Sequence, residues 1–306
     1  MSTVKMNQIL EQIRSEMNGQ RQHDRAVLLE WADRYKGNIE AGPLLREIGL
    51  MLFKLDEEIA APVTQGFLDE AAERMERTLA EAEALMSAGR YEDAVERFAP
   101  AVEELDGFSL PETSVWTDFH SFLDGLLFED YFSEEIDGRE VRRHPLRPAR
   151  LLRSCGEALV FLERYDEAVP VLERLTGLDP VCAEDLCTLA DAYLCADRAE
   201  DAWDTAGWAL FCASTNEEAA QCYLLLALCR SETEDWENAA VLLRKSLLVS
   251  PSEEAEAVLA ELEAQTGIRA DYTKEEIDRR CEAMEVPTGR SEAVELNLAF
   301  LEQFNP

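Results

Sequence analysis

The chain has 306 residues, and its 64 acidic and 29 basic side chains leave a formal net charge of -35. That charge repels polyanions and excludes a general nucleic-acid binder, because such binding rests on neutralising phosphates. Hydrophobic residues make up 47%, enough for a packed core, yet no apolar run approaches the ~20 residues that span a bilayer.

Residues 1–66 predict helices broken at Met17–Gln20 (MNGQ), Lys36–Asn38 (KGN) and Glu58–Val63 (EIAAPV). Val4, Ile9, Leu10, Ile13 and Met17 keep helical spacing, as do Leu44, Leu45, Ile48, Leu52 and Leu55, and Gly42–Pro43 starts a helix. Glu11 and Glu16 interrupt any leader-like apolar stretch. The expectation is an N-terminal helical segment of a cytoplasmic protein.

Residues 67–106 read as a first helical hairpin, and 107–148 as an aromatic helix followed by a basic extended insertion. SVWTDFHSFLDGLLFEDYF puts Val115, Trp116, Phe119, Phe122, Leu123, Leu126 and Leu127 on one helical face, which is core packing first and a partner anchor second. Asp118, His120 and Ser121 are neighbours there, but on a helix they point in different directions and form no triad. After the Asp137–Gly138 turn, residues 139–153 hold six arginines against Glu140, while Pro145 and Pro148 keep the backbone extended.

A repeat runs through the chain. Gly89–Asp106, Glu163–Pro180, Asp197–Ser214 and Glu234–Pro251 align on Ala94, Ala168, Ala202 and Ala239, at steps of 74, 34 and 37 residues. Twelve residues before each alanine stands another small residue: Ala82, Gly156, Ala190 and Ala227. Two antiparallel helices approach closely only where such side chains meet. Phe98, Leu172, Ala206 and Leu243 mark where the second helix packs on the first, and Pro180 and Pro251 end it. The step of 74 predicts an irregular segment in place of one unit, with three consecutive units over 149–252.

This pattern resembles the tetratricopeptide repeat family. More narrowly, Arg139 to about Leu301 is similar to bacterial tetratricopeptide proteins of unassigned function, where a basic, proline-containing segment precedes a YDEAVPVLERLTGLDPV-type repeat. The resemblance implies an all-α fold, a solenoid of tetratricopeptide-type helical hairpins with extra N- and C-terminal helices, and it implies no activity. Residues 253–306 then serve as capping helices. One ends near Gly267, one opens on a Thr273–Glu276 capping box, and the last runs from Ser291 to about Gln303.

No phosphate loop, dinucleotide fingerprint, nucleophile elbow or zinc-protease motif is present, so no catalytic residue, cofactor or metal is expected. The eight cysteines show no CxxC spacing and read as reduced, buried hydrophobes. In the family the first helix of each unit lines the concave face. Here it would present Arg150, Arg153, Glu157 and Phe161, then Cys187 and Asp191, then Leu224, Leu225 and Leu228. The arginines either neutralise the protein's own acidic helices or grip an anionic group. The expected function is a non-enzymatic scaffold or adaptor for a protein or peptide, with an arginine end and a leucine end. The alternative is a chaperone or regulator of a secreted or assembly client, and homo-oligomerisation is left open. Neither a nucleic-acid nor a membrane partner is expected.

Overall fold

The computed structural model describes residues 3–35, 42–55, 57–108, 110 and 112–296. The protein is all-helical among them, apart from one pair of short strands. An N-terminal layer of α1 (Thr3–Glu16), α2 (Arg21–Tyr35) and α3 (Gly42–Leu55) leads into α4 (Glu57–Ser87) and α5 (Tyr91–Asp106). Next come β1 (Ser114–Thr117), α6 (Phe122–Tyr131), α7 (Ser133–Ile136) and β2 (Glu140–Arg143). The pairs α8 (Ala149–Phe161) and α9 (Tyr165–Leu178), α10 (Ala183–Cys195) and α11 (Ala199–Cys212), and α12 (Asn216–Glu232) and α13 (Trp236–Val249) follow. The last elements are α14 (Glu253–Thr266) and α15 (Lys274–Ala283).

Four of these pairs share one turn. Gly89, Glu163, Asp197 and Glu234 lie between their two helices, each at a φ between 57° and 72°. The residue after each donates its N–H to the carbonyl five positions back: Arg90 to Leu85, Arg164 to Leu159, Arg198 to Tyr193 and Asp235 to Arg230, all at 2.9 Å. A left-handed residue closing this bond satisfies carbonyls that the first helix leaves open, and glycine reaches it most easily. Three of the four turns reach it without glycine. In the first three units, the arginine after the turn also pairs three residues on, with Asp93, Glu167 or Asp201.

The small residues of the repeat lie at the contacts. Ala82, Ala94, Ala168, Ala190, Ala202, Ala227 and Ala239 have no exposed surface, and Gly156 is buried against Leu172. Arg230, at the position that Tyr193 holds one unit earlier, stacks its guanidinium over Trp203 at 4.0 Å.

Four expectations change, and the first is that the backbone does not stay extended past β2: it turns at Pro145–Leu146, Arg147 is left-handed at φ 45°, and Pro148 is already helical at the start of α8. The break at Glu58–Val63 does not occur, since α4 runs through it with Pro62 inside the helix. The segment 107–148 does not stand in for a unit. Helix α8 packs directly on α5 and α4, and the insertion lies beside the stack. Val115 and Trp116 belong to a strand rather than a helical face, with β1 pairing parallel to β2 in the register Ser114–Glu140 to Thr117–Arg143. Their β-branched and aromatic character suits a strand. Helix α6 starts only at Phe122, behind a capping box of Ser121 and Asp124; it buries Leu127 and Phe128, while Phe122 is 67% exposed.

The expected break at Lys36–Asn38 lies outside the described residues. Helix α14 stops at Gly267 in a left-handed turn, and Thr273 with Glu276 caps α15 as a reciprocal pair. Residues 292–296 are helical, and the rest of the helix expected to reach Gln303 lies outside the described residues.

Candidate functional site

The strand pair sets two loops side by side at the start of α8. His144 donates its N–H to Thr117 O at 2.7 Å, and Asp118 donates to Leu178 O at 3.0 Å. The Asp118 carboxylate, 5% exposed, then accepts from Arg143 Nε at 3.0 Å and from the Ala149 N–H at 3.1 Å. Ala149 opens α8, so a fixed negative charge meets the positive end of that helix. Buried His144 backs the loop, its Nδ1 accepting from the Leu146 N–H. Burial pushes its imidazole down to about 4, so it is neutral and able to accept.

These loops, α8 and α4 enclose a cleft of about 600 Å³. Buried Met75 and Leu79 form part of one wall, and Arg143, Arg147, Arg150 and Arg153 line the other, with Asp69 and Glu76 facing in from α4. The four guanidiniums differ in availability. Arg153 is half-buried and forks onto the buried Asp185 carboxylate at 2.5 and 2.7 Å, joining α8 to α10. Arg150 reaches Glu83 of α4 at 2.8 and 3.1 Å but is 65% exposed. Arg143 keeps an exposed flank while bonded to Asp118. Arg147, exposed in a left-handed turn at φ 45°, has no ion pair among the described residues. Outside the cleft, Arg139 is bonded to the main-chain oxygens of Glu135 and Ile136, and Arg142 to Glu140. Five of the six arginines are therefore held by the protein itself.

The remaining groove residues divide. Glu157 lies near Arg153, its carboxyl raised by burial. Phe161 is 63% exposed and stacks on Tyr91 with ring centres 3.7 Å apart. Asp191 is half-buried, and burial followed by the nearby Glu254 raises its carboxyl. Cys187 is buried. Leu224 and Leu225 are each 1% exposed, and Leu228 is packed against the same core, so the leucine end is not an open surface. Helix α12 is apolar all round from Cys222 to Ala227, the pattern of a helix covered on every side.

A carboxylate pair escaped the sequence reading. Asp179, 1% exposed, accepts from the His120 N–H at 2.7 Å through one oxygen, while the other has no partner among the described residues. Burial, then the charge of Asp124, pushes its carboxyl up to about 7, and burial raises Asp124 as well. The folded protein thus holds a proton that the unfolded chain releases near pH 4. Folded protein binds more protons between about pH 4 and 7, so stability falls as pH rises through that window. Asp179→Asn is expected to flatten this slope and to raise stability at pH 8 by at least about 1 kcal/mol, read from urea unfolding at pH 5 and pH 8. Parallel wild-type and variant curves would contradict it.

Comparison with protein-family models and with curated proteins found no match to the chain. Among the described residues, no group of three metal-ligating side chains converges, and no helix is long and apolar enough to cross a membrane.

Proposed function

We propose that this chain is a tetratricopeptide-type α-solenoid that holds a protein or peptide partner without chemistry of its own, as a scaffold or adaptor in the cytoplasm. Four helix pairs with one turn geometry and small residues at each contact support the repeat reading. Free thiols throughout suit a reducing compartment.

The observation that carries the binding reading is the cleft between α4 and α8. Unpaired Arg147 stands at its rim beside the exposed faces of Arg143 and Arg150. Planar guanidiniums over an apolar wall suit a short segment bearing a carboxylate or phosphate. The surrounding negative charge disfavours a long acidic chain, so recognition is local.

Arg153 is left untouched in the test, because it is committed to Asp185. An array of short peptides graded in acidic and phosphorylated residues, probed with the full chain, is expected to retain a subset of acid-bearing sequences. Arg147→Glu/Arg150→Glu is expected to weaken those by about tenfold or more, and added salt to weaken them further. Equal binding by wild type and variant, or capture that ignores peptide charge, would sink the proposal.

A further inference from the structure

Helices α10 and α12, the first helices of adjacent pairs, pack on one another. At that contact Cys187 Sγ and Cys222 Sγ are 3.5 Å apart. This is the one sulfur–sulfur contact of hydrogen-bonding length among the described residues, and all eight cysteines are free. From this geometry we propose that Cys187 and Cys222 form a modification site, where a peroxide joins them in a disulfide that ties α10 to α12.

The sulfurs need to approach by roughly 1.5 Å to reach the length of an S–S bond, a distance that small side-chain rotations supply between helices already in contact. Access is unequal: Cys187 is 9% exposed and Cys222 not at all. The oxidant therefore meets Cys187 first. Its thiolate attacks one peroxide oxygen, the O–O bond breaks, and a sulfenic acid and water result. Cys222 then attacks the sulfenic sulfur, releases its proton, and expels hydroxide as a second water. Two thiols lose two electrons, and one peroxide is reduced to two waters. Contact with Cys187, then burial, keeps the Cys222 proton in place, so Cys222 is not the first nucleophile and gives up that proton only as it attacks the sulfenic sulfur.

The other cysteines lack this arrangement. Burial pushes the thiols of Cys155 and Cys281 up to about 11 and of Cys229 to about 12, and raises Cys182 and Cys212 as well. Cys195 is exposed but has no sulfur neighbour. A bridge between α10 and α12 fixes the spacing of two neighbouring pairs, one of which holds Asp185, the anchor of Arg153.

The full chain carrying Cys195→Ser, treated with a few equivalents of hydrogen peroxide, quenched and digested without reduction, is expected to yield a peptide linking Cys187 to Cys222. Dithiothreitol should release that peptide. The oxidised protein should show two thiols fewer after denaturation and an unfolding midpoint higher by about 5 °C. Cys187→Ser and Cys222→Ser should each abolish the linked peptide. The parent map alone decides the matter if either variant fails to fold. Absence of the linked peptide once a glutathione control is fully oxidised overturns the proposal, as does recovery of both residues as unlinked sulfinic or sulfonic acids.

Discussion

Asp185→Ala is expected to cost about 3–5 kcal/mol of folding stability, the range for removing one partner of a buried ion pair. Asp185 is 1% exposed, and its two oxygens take both arms of the Arg153 fork. Without it a guanidinium stays half-buried between α8 and α10 with its countercharge gone. The exposed pair made by Arg150, also on α8, with Glu83 of α4 gives the contrast. Arg150–Glu83 is 65% and 33% exposed, so Glu83→Ala is expected to cost less than about 1 kcal/mol. Urea unfolding of the two variants beside wild type checks both values. Similar losses would mean that burial does not separate the two pairs. Replacing both partners, as Arg153→Met/Asp185→Leu, should recover most of the loss, because neither charge is then left buried alone.

Gly156→Val is expected to cost about 3 kcal/mol. A Cβ at Gly156 would lie 2.4 Å from Leu172 Cδ2 and 2.8 Å from its Cγ, and Leu172 has no exposed surface into which to retreat. Overpacking of this kind costs about 1–3 kcal/mol, and a β-branched side chain sits at its upper end. Gly156→Ala carries the same clash for one methyl but gains up to about 1 kcal/mol of helix propensity, so its net cost is smaller. Shortening the neighbour in Gly156→Ala/Leu172→Ala should relieve the clash, and the two changes should not add. Thermal unfolding of the three variants with Leu172→Ala alone completes the cycle. Strict additivity would show that the two residues do not press on one another.

What the sequence made legible was local. Alanines at fixed spacing, the prolines ending second helices and the Thr273–Glu276 box each act within a few residues of where they stand, and the structure has them in those roles. What it hid was long-range. Nothing near Arg153 announces Asp185, 32 residues on, and nothing near Asp179 announces Asp124 or the His120 N–H, 59 residues back. Val115 and Trp116 fit a helical stripe by spacing, and their strand partners on β2 stand 26 residues away. The place of Leu224 and Leu225 in the repeat points to the groove, yet both are buried. The all-round apolarity of Cys222–Ala227 was the available sign that no face of that helix stays open.

The direct packing of α8 on α5 also sets an order of events. Contacts between successive helix pairs join residues close in sequence, so each pair can form soon after it is synthesised. The exception is the second pair, whose seat on the first waits until the 107–148 segment has been made. During that interval the face of α5 that α8 will cover stays open. Translation through this segment is thus the stretch in which the nascent chain most needs to be shielded, and the parallel strands can pair only once their 22-residue connection has been made.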